Sequence, residues 1–145
     1  MYKHILIPTD GSELSKKALK QGMAFAKSIG AKVTAITVSQ TFHTFALDPV
    51  MVTDTPEQYQ KDCDARAQNY LAVAKNAAQA AGVPYEGMHV MHDHPHEAII
   101  NTAKDKGCDL IFMASHGRKG ISAVVLGSET VKVLTHSKIP ALVCR

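Results

Sequence analysis

Short apolar runs alternate with longer amphipathic segments along the whole of this chain. The short runs are rich in aliphatic and β-branched side chains, as buried strands are. They lie at residues 4–7, 32–38, 85–91, 109–114 and 140–144. Between them, apolar residues recur at helical spacing, for example at Leu14, Ala18 and Phe25. The pattern therefore predicts strands and helices in strict alternation, βαβαβαβαβ.

The predicted helices begin and end at residues suited to those positions. Ser12 is a suitable N-cap for the first helix, and Gly30 is suited to the position just after its last turn. Thr55 followed by Pro56 predicts the start of a second helix, which is long and alanine-rich. The remaining helices are predicted at residues 95–106 and 128–137.

Residues 39–54 follow neither the helical nor the strand period. Apolar side chains such as Phe42 and Leu47 are scattered among polar ones there. Such a segment suits either a flap over a pocket or a surface for a partner protein, and the pattern does not distinguish the two.

The order of the predicted elements defines a fold class. Parallel strands need crossover connections, and helical crossovers are right-handed and cover the faces of the sheet. We therefore expect an α/β fold with a doubly wound, five-stranded parallel sheet of strand order 3-2-1-4-5 and helices on both faces. The 145 residues contain no internal repeat and no flexible linker, so a single domain over residues 1–145 is expected.

Composition and charge disfavour several classes of partner. The chain is 46% hydrophobic and 20% charged, as ordinary globular domains are. Its net charge of +3 is small and its Lys and Arg residues are scattered, which disfavours nucleic acid as a partner. No apolar run approaches the roughly 18 residues that a membrane helix needs, so no membrane association is expected.

The cysteines and the N-terminal residues indicate a cytoplasmic protein. Cys63, Cys108 and Cys144 are odd in number, widely spaced and without a CxxC pair. This usage favours reduced thiols over a disulfide framework or a zinc site. The first residues lack the long apolar core and the cleavage site of a signal peptide.

Two polar, glycine-containing turns carry the candidate chemistry. One is residues 8–12, directly after the first strand, and the other is residues 115–120, directly after the fourth. In a sheet of this order, the carboxyl ends of those strands flank the switch point at which ligands bind. The second turn leads to Gly127 and Ser128 at the start of a helix, whose N–H groups attract anions. The two turns together predict a phosphate-binding site.

The best-known nucleotide motifs are absent from the sequence. No GxxxxGK(S/T) loop occurs, and no GxGxxG follows the first strand. A conventional P-loop NTPase or a dinucleotide-dependent dehydrogenase is therefore not expected.

The two turns give the chain a resemblance to the universal stress protein family. The resemblance extends from residues 7–12 through the loop at 115–120 to the closing residues 138–143, and so covers essentially the whole chain. It implies the adenine nucleotide alpha hydrolase-like variant of the doubly wound fold.

The motif of the family's nucleotide-binding branch is matched with one departure. That branch carries the pattern G-x2-G-x9-G-S/T, which Gly117, Gly127 and Ser128 match. Ala114 replaces the first glycine. Its methyl group would crowd a ribose or a phosphate, or would be tolerated if its φ is negative.

The resemblance implies a role for residues near both turns. Asp10 would take the ribose hydroxyls or a metal-bridged phosphate. Main-chain N–H groups around Gly117, Gly127 and Ser128 would hold the phosphates, aided by the hydroxyls of Ser128 and Thr130. The adenine slot would be lined by Pro8, Thr9, Val38 and Met113. The full set of implied nucleotide-binding residues is Pro8, Thr9, Asp10, Val38, Met113, Ala114, Gly117, Gly127, Ser128, Glu129 and Thr130.

By the same resemblance, the chain is expected to be a stress-response protein that binds ATP accompanied by Mg²⁺. It would form a homodimer through its C-terminal edge strand and would regulate rather than catalyse, with no catalytic residue and no metal site of its own. The alternative is a dimeric stress adaptor whose pocket is empty or holds a small anion. Ala114 favours that alternative, as does Glu129, whose acidic group disfavours phosphate unless it points away or meets a cation. The glycine motif and Asp10 oppose it.

Other polar residues near these turns have simpler interpretations. The four histidines between residues 89 and 96 suggest a metal site, but Pro95 begins a helix among them and no second cluster of ligands stands nearby, so surface and cap roles are favoured. His116 has no nucleophile or paired carboxylate in its turn, so no acid–base role is assigned to it. Arg118 and Lys119 are equally well explained as a solvated loop face or as contacts to a ligand.

Overall fold

The computed structural model describes residues 1–45, 55–118 and 126–145. Its strands are β1 (His4–Pro8), β2 (Lys32–Ser39), β3 (Tyr85–Met91), β4 (Leu110–Ala114) and β5 (Ala141–Cys144). Its helices are α1 (Glu13–Ile29), α2 (Phe42–Phe45), α3 (Pro56–Ala81), α4 (Pro95–Asp105) and α5 (Ser128–His136). Every predicted strand and helix is present, with ends about one residue or less from those expected.

The strands form one parallel sheet in the order β3-β2-β1-β4-β5, which confirms the predicted order 3-2-1-4-5. β1 lies in the middle, with Ile5 opposite Val33 of β2 and Leu110 of β4. The chain winds outwards from β1 first to β3 and then to β5, so its direction reverses between β1 and β4. The carboxyl ends of these strands therefore flank the crevice at which such sheets bind ligands.

Helices cover both faces of the sheet, as expected of a doubly wound fold. Ile5 and Ile7 pack on the face covered by α1 and α3. Leu6 packs on the opposite face, covered by α4 and α5. All of these side chains are fully buried, because a central parallel strand is enclosed from both sides.

Local sequence explains where the long helices begin and end. Ser12 Oγ accepts a hydrogen bond from the Ser15 N–H at 3.2 Å, and Gly30 ends α1 with a φ of 69°. Thr55 Oγ1 accepts from the Gln58 N–H at 3.1 Å at the start of α3. The predicted caps are therefore confirmed. Although α3 has 26 residues, neither it nor any other described helix is long and apolar enough to cross a membrane.

The segment predicted to be irregular begins with the short helix α2. The ring of Phe45 stacks on that of Tyr59 in α3, with centroids 4.1 Å apart. The Tyr59 hydroxyl donates to the Gln40 carbonyl at 2.7 Å, so the chain that leaves β2 packs against α3. The remainder of this segment, residues 46–54, lies outside the described residues, and the flap and partner-surface interpretations stay predictions. Lys119 and Gly120 of the second turn also lie outside them.

β3 and β5 form the two edges of the sheet. β5 pairs with β4 from Ala141 opposite Ile111 to Cys144 opposite Ala114, and no described strand pairs with its other side. Leu142 in this strand is 37% exposed. An edge of this kind is available for pairing with another chain.

Candidate functional site

The two predicted turns meet at the carboxyl ends of β1 and β4, where the Asp10 side chain joins them. Its Oδ1 accepts a hydrogen bond from the Ser12 N–H at 3.0 Å, and its Oδ2 accepts from the Arg118 N–H at 2.7 Å. Burial alone would raise the pKa of this carboxyl group, but the hydrogen bonds from Ser12 and Arg118 outweigh burial and lower the pKa. Asp10 is therefore ionised at neutral pH and holds the two turns together.

Glycine is sterically required where these turns pack. Gly11 has a φ of 77°, and a Cβ atom on it would lie 2.2 Å from the ring of Tyr70 in α3. A Cβ atom on Gly117 would lie 2.5 Å from Oδ2 of Asp10. Packing against the Asp10 carboxylate therefore explains why the motif position 117 is a glycine.

The N-terminus of α5 lies beside the second turn. Gly127 is its N-cap and donates its N–H to the Ser115 carbonyl at 2.7 Å. The hydroxyl of Thr130 is buried and donates to the Ala114 carbonyl at 3.1 Å. These groups anchor α5 to the end of β4. Ser128, the first residue of the helix, is exposed, so its hydroxyl is accessible from solvent.

Glu129, the acidic residue beside the predicted phosphate site, is bonded to α4. Its Oε2 accepts from the main-chain N–H of His96 at 2.9 Å and lies 3.2 Å from Nδ1 of the same residue. Its Oε1 accepts from Lys132 Nζ at 3.0 Å. Burial would raise the pKa of this carboxyl group, but the hydrogen bonds from Lys132 and His96 outweigh burial and lower the pKa. Glu129 thus has both a cationic partner and a neighbouring helix as its contacts.

Ala114 occupies the position of the missing motif glycine without backbone strain. It is the last residue of β4, and no described residue other than glycine has a positive φ. It is 9% exposed and packs in the core on the side of α1. The negative φ is the condition under which an alanine is tolerated here.

A cleft of about 190 Å³ opens beside Asp10, between the end of β2 and one face of α3. On the side of the sheet it is lined by Thr37, Val38 and Ser39. The opposite wall consists of the α3 residues Tyr59, Cys63, Arg66, Ala67 and Tyr70. We call these five residues the α3 wall. Asp10 and Arg118 complete the lining.

The α3 wall is absent from the residues that the sequence suggested, although a signal for it was present. Its members recur at intervals of about three, four and seven residues, the spacing of one helix face. In an alanine-rich helix, a face that carries aromatic, thiol and guanidinium groups is chemically distinct. Cys63 is buried in this face, and Arg66 donates to its Sγ at 3.5 Å.

The structure brings some of the implied binding residues to the cleft and leaves others behind it. Asp10 and Val38 line the cleft. Thr9 is buried, with its Oγ1 atom 3.3 Å from Oγ of Ser15. Met113 is buried on the face covered by α4 and α5, and Pro8 is partly buried at the end of β1. These last three residues support the strand ends from which the cleft is built.

Four histidine rings, those of His92, His94, His96 and His136, lie next to one another in sequence order. Ring centroids are 6.1 Å apart for His92 and His94, 6.2 Å for His94 and His96, and 5.7 Å for His96 and His136. His94 is the N-cap of α4, and its N–H donates to Nδ1 of His92 at 2.9 Å. Within the described residues, no group of three His, Cys, Asp or Glu side chains is placed to hold a metal ion.

The sheet order and the cleft at its switch point define a class, the doubly wound α/β proteins with a ligand site at the carboxyl ends of the central strands. Comparison with known proteins narrows the class. The universal stress protein family matches residues 1–145, and the chain belongs to this family of stress-response proteins. It is 30% identical over 156 aligned residues to universal stress protein MJ0577 of Methanocaldococcus jannaschii, covering 100% of this chain and 96% of that protein. The solved structure of MJ0577 matches with a TM-score of 0.83 at 31% identity, over 99% of this chain and 95% of that one.

Two more distant structures share the fold. A universal stress protein in complex with cAMP matches with a TM-score of 0.67 at 22% identity, over 99% of this chain and 97% of that one. The universal stress protein from Archaeoglobus fulgidus in complex with dAMP matches with a TM-score of 0.70 at 16% identity, over 99% of this chain and 98% of that one. At these identities the likeness concerns the fold.

Proposed function

We propose that this chain binds an adenine nucleotide, ATP with Mg²⁺, in the cleft between β2 and α3, and acts as a cytoplasmic, homodimeric regulator. The observation that carries the proposal is the Asp10 carboxylate, which is ionised, is bonded to both predicted turns and faces the cleft that begins at Val38. Further support comes from the adenine nucleotides held by two proteins of this fold, cAMP in one and dAMP in the other.

In this proposal, the parts of the nucleotide follow the chemistry of the cleft. The base lies between Val38 and the α3 wall, with Ala67 leaving room for it. The ribose hydroxyls donate to Asp10, which keeps acceptor capacity because each carboxylate oxygen has two lone pairs. The phosphates extend to the start of α5, where the helix dipole and the Ser128 hydroxyl favour negative charge.

The residues present suit Mg²⁺ as a companion of the phosphates. Mg²⁺ is usually held by one or two carboxylates together with substrate phosphates and several waters. Asp10 is the carboxylate that lines the described cleft, and its hydrogen bonds within the described part of the chain come from main-chain N–H groups rather than from a cationic side chain. Asp10 would therefore hold the ion by one oxygen or through water, and the ion would neutralise phosphate charge.

A regulatory role is supported by the state of the same carboxylate. A general base works best with a pKa near the operating pH, whereas the pKa of Asp10 is lowered below its usual value. A cytoplasmic location is supported by the cysteines, all of which are buried and free. Free thiols persist in a reducing compartment.

Homodimerisation through β5 is supported by the apolar residues near that edge. Leu142 of β5 is 37% exposed, and Val131 and Leu134 of α5 are 45% and 44% exposed. Sedimentation velocity should show a dimer for the wild type and a shift to monomer for Leu142→Lys, because a charge at the edge opposes pairing. A wild-type chain that stays monomeric at high concentration would contradict this part of the proposal.

Nucleotide binding is tested by thermal unfolding and calorimetry with Mg-ATP, AMP, cAMP and dAMP. A ligand that binds the folded state raises its stability, by about 2.7 kcal/mol at a concentration of about 100 times the Kd. Gly127→Val is the control, because a Cβ atom there would lie 3.0 Å from the His116 Cα atom and push the second turn away. The variant should fold, as judged by circular dichroism, and show no shift. If no nucleotide shifts the wild type and none is released on denaturation, the proposal fails.

The second candidate function is a stress adaptor whose pocket holds a small anion. The Gly127 N–H and the Thr130 hydroxyl, two of the implied phosphate donors, already donate to protein carbonyls. That arrangement favours a smaller anion than a triphosphate. An adaptor of this kind should be stabilised by inorganic phosphate or sulfate and by none of the nucleotides.

A further inference from the structure

Tyr70 of α3 contacts both of the turns that flank the cleft. Gly11 of the first turn packs directly against its ring, where a Cβ atom would lie 2.2 Å from a ring carbon. The guanidinium carbon of Arg118, in the second turn, is 5.5 Å from the centre of the same ring. The Nη2 atom of Arg118 also donates to the Tyr70 hydroxyl at 2.5 Å. One aromatic side chain of α3 therefore links the first turn to the second.

Among the described residues, the partners of Arg118 leave its charge available to a ligand. Its main-chain N–H donates to Asp10, but its guanidinium group contacts the neutral phenol and the ring face of Tyr70. Hydrogen bonds from a guanidinium group to phosphate are roughly twice as strong as bonds between neutral groups, and they are often bidentate. A phosphate that enters the cleft therefore competes well with the phenol for Arg118.

Both residues lie at the cleft itself. Tyr70 and Arg118 belong to its lining, together with Asp10. Arg118 spans from the second turn to α3, and both residues of this contact line the cleft. Arg66, the other arginine of the lining, donates instead to Cys63 of its own helix.

We propose that Arg118 and Tyr70 form a clasp that closes the cleft, and that a nucleotide opens the clasp by drawing the Arg118 guanidinium onto its phosphates. The inference rests on the proposed function, because it takes an adenine nucleotide as the ligand. It makes Arg118 the residue by which the protein distinguishes a nucleotide from the corresponding nucleoside. It also couples occupancy of the cleft to α3, which loses its bond to the second turn when ligand arrives.

The direction in which Tyr70→Phe changes ligand affinity distinguishes a clasp from a residue that only lines the cleft. The variant keeps the ring against Gly11 and removes the hydroxyl that Arg118 binds. For a clasp, both adenosine and ATP bind about three- to tenfold more tightly, because one hydrogen bond fewer must be broken. If Tyr70 serves only as a wall or as a ligand contact, affinity stays equal or falls.

Substitutions of Arg118 test its part in recognising phosphate. In Arg118→Ala, calorimetry should show tighter adenosine binding and a preference for ATP over adenosine that falls about tenfold. Arg118→Lys should also bind adenosine more tightly, but its retained charge should preserve most of the preference for ATP. Lys106→Gln is the control for loss of one positive charge, since Lys106 pairs with Glu86 at the start of β3, away from the carboxyl ends of the strands. It should change neither affinity.

The opening itself can be followed on Tyr70. The chain has four tyrosines, so uniform 3-fluorotyrosine labelling should give four fluorine resonances, with that of Tyr70 identified by its loss in Tyr70→Phe. Arg118→Ala without ligand supplies the resonance position of an open clasp. Addition of ATP to the wild type should move the Tyr70 resonance to that position, and adenosine should do the same only at the higher concentrations that its weaker binding requires.

The outcomes separate failure of the clasp from failure of the proposed function. If the wild type binds ATP, and Tyr70→Phe binds it equally or more weakly, the clasp is wrong and nucleotide binding stands. If Arg118→Ala keeps the full preference for ATP, Arg118 does not contact phosphate and the clasp is again wrong. If the wild type, Tyr70→Phe and Arg118→Ala all bind no nucleotide, the proposed function is wrong, and the clasp is then wrong as well.

Discussion

α1 and α5 both begin at the carboxyl edge of the sheet, but their N-termini are built differently. α1 closes its own first turn, since Ser12 accepts from the Ser15 N–H and Asp10 accepts from the Ser12 N–H. α5 begins at Gly127, which has no side chain with which to cap it, and no described side chain takes that place. Where nearby side chains accept the first N–H groups of a helix, that N-terminus has a structural role. Where no side chain caps the helix, its first N–H groups are available to bind an anion.

α4 shows a third arrangement, and it explains the position of Glu129. His94 at its N-cap makes no side-chain bond to the first turn, and Glu129 of α5 accepts the His96 N–H instead. The acidic side chain at the start of α5 therefore serves the N-terminus of the neighbouring helix. An acidic residue beside a predicted phosphate site is thus compatible with that site when another helix uses its charge.

The largest expected effect on stability is that of Gly11→Ala, in the turn that leads into the capped N-terminus of α1. The positive φ costs about 1–2 kcal/mol for a residue with a Cβ atom, and displacement of the Tyr70 ring adds about 1–3 kcal/mol. Unfolding in urea should therefore show a loss of about 2–5 kcal/mol.

Gly30→Ala is the matched control for this substitution. Gly30 has a similar φ of 69°, but no atom of the described residues lies within 4 Å of a Cβ atom placed on it. Its loss should be about 1–2 kcal/mol, from backbone conformation alone. Equal losses in the two variants would show that Tyr70 does not restrain the first turn.

Asp10→Asn should have the next largest effect, about 1–2 kcal/mol at neutral pH, because the amide turns a donor towards one of two N–H groups. The folded-state pKa of Asp10 is lowered, so its ionised form stabilises the protein above the pKa of the unfolded chain. That stability is lost as the pH falls through the folded-state pKa. The difference between wild type and variant, measured by urea unfolding, should therefore shrink below about pH 4. A difference that stays constant with pH would mean that the charge of Asp10 is not what stabilises the turns.

Ser12→Ala and Ser128→Ala form a pair that tests the comparison of the two helix starts directly. Ser12→Ala should lose about 1 kcal/mol of stability, the usual cost of an N-cap, and should change nucleotide affinity little. Ser128→Ala should leave stability within about 0.5 kcal/mol, because it is an exposed residue without a capping role, and should weaken ATP binding. Similar stability losses in both variants would remove the distinction between a closed and an open N-terminus.

Glu129→Gln should have the smallest effect. Its side chain is 35% exposed, so solvent screens the pair with Lys132, and a loss of roughly half a kcal/mol is expected at neutral pH. Because the folded-state pKa of Glu129 is lowered, this loss should begin to shrink as the pH falls below about 4.3 and should vanish once the pH is below the folded-state pKa. Urea unfolding at several pH values measures it. A variant that loses several times this amount would place the carboxylate in a more buried role than its contacts indicate.

The sequence predicted the elements and their order because those signals are local. A run such as residues 32–38 shows its strand character in its own side chains, and Ser12 and Gly30 mark helix ends within a single turn. The strand order then placed the turn of Asp10 opposite that of Gly117, since the rule for switch points follows from the order alone.

The remaining parts of the site depend on tertiary packing, which no local pattern carries. Tyr70 is far from Gly11 in sequence, and it reaches that residue because α3 and α1 cover the same face of the sheet. The sequence likewise did not predict where the Glu129 side chain points, because its partner is the main chain of His96 in another helix. Position and spacing in the sequence identified the candidate residues, and their partners emerged only with the packed structure.

The bond between Glu129 and His96 has a consequence for how these positions can change in descent. The carboxylate accepts a main-chain N–H group, which every residue except proline provides. Any residue other than proline at position 96 therefore preserves the hydrogen bond from its main-chain N–H group to Glu129. Position 129 has no such freedom, because it must keep an acceptor of sufficient length. Among descendants of this sequence, glutamate or its isostere glutamine should persist at position 129 while the histidine at position 96 is replaced.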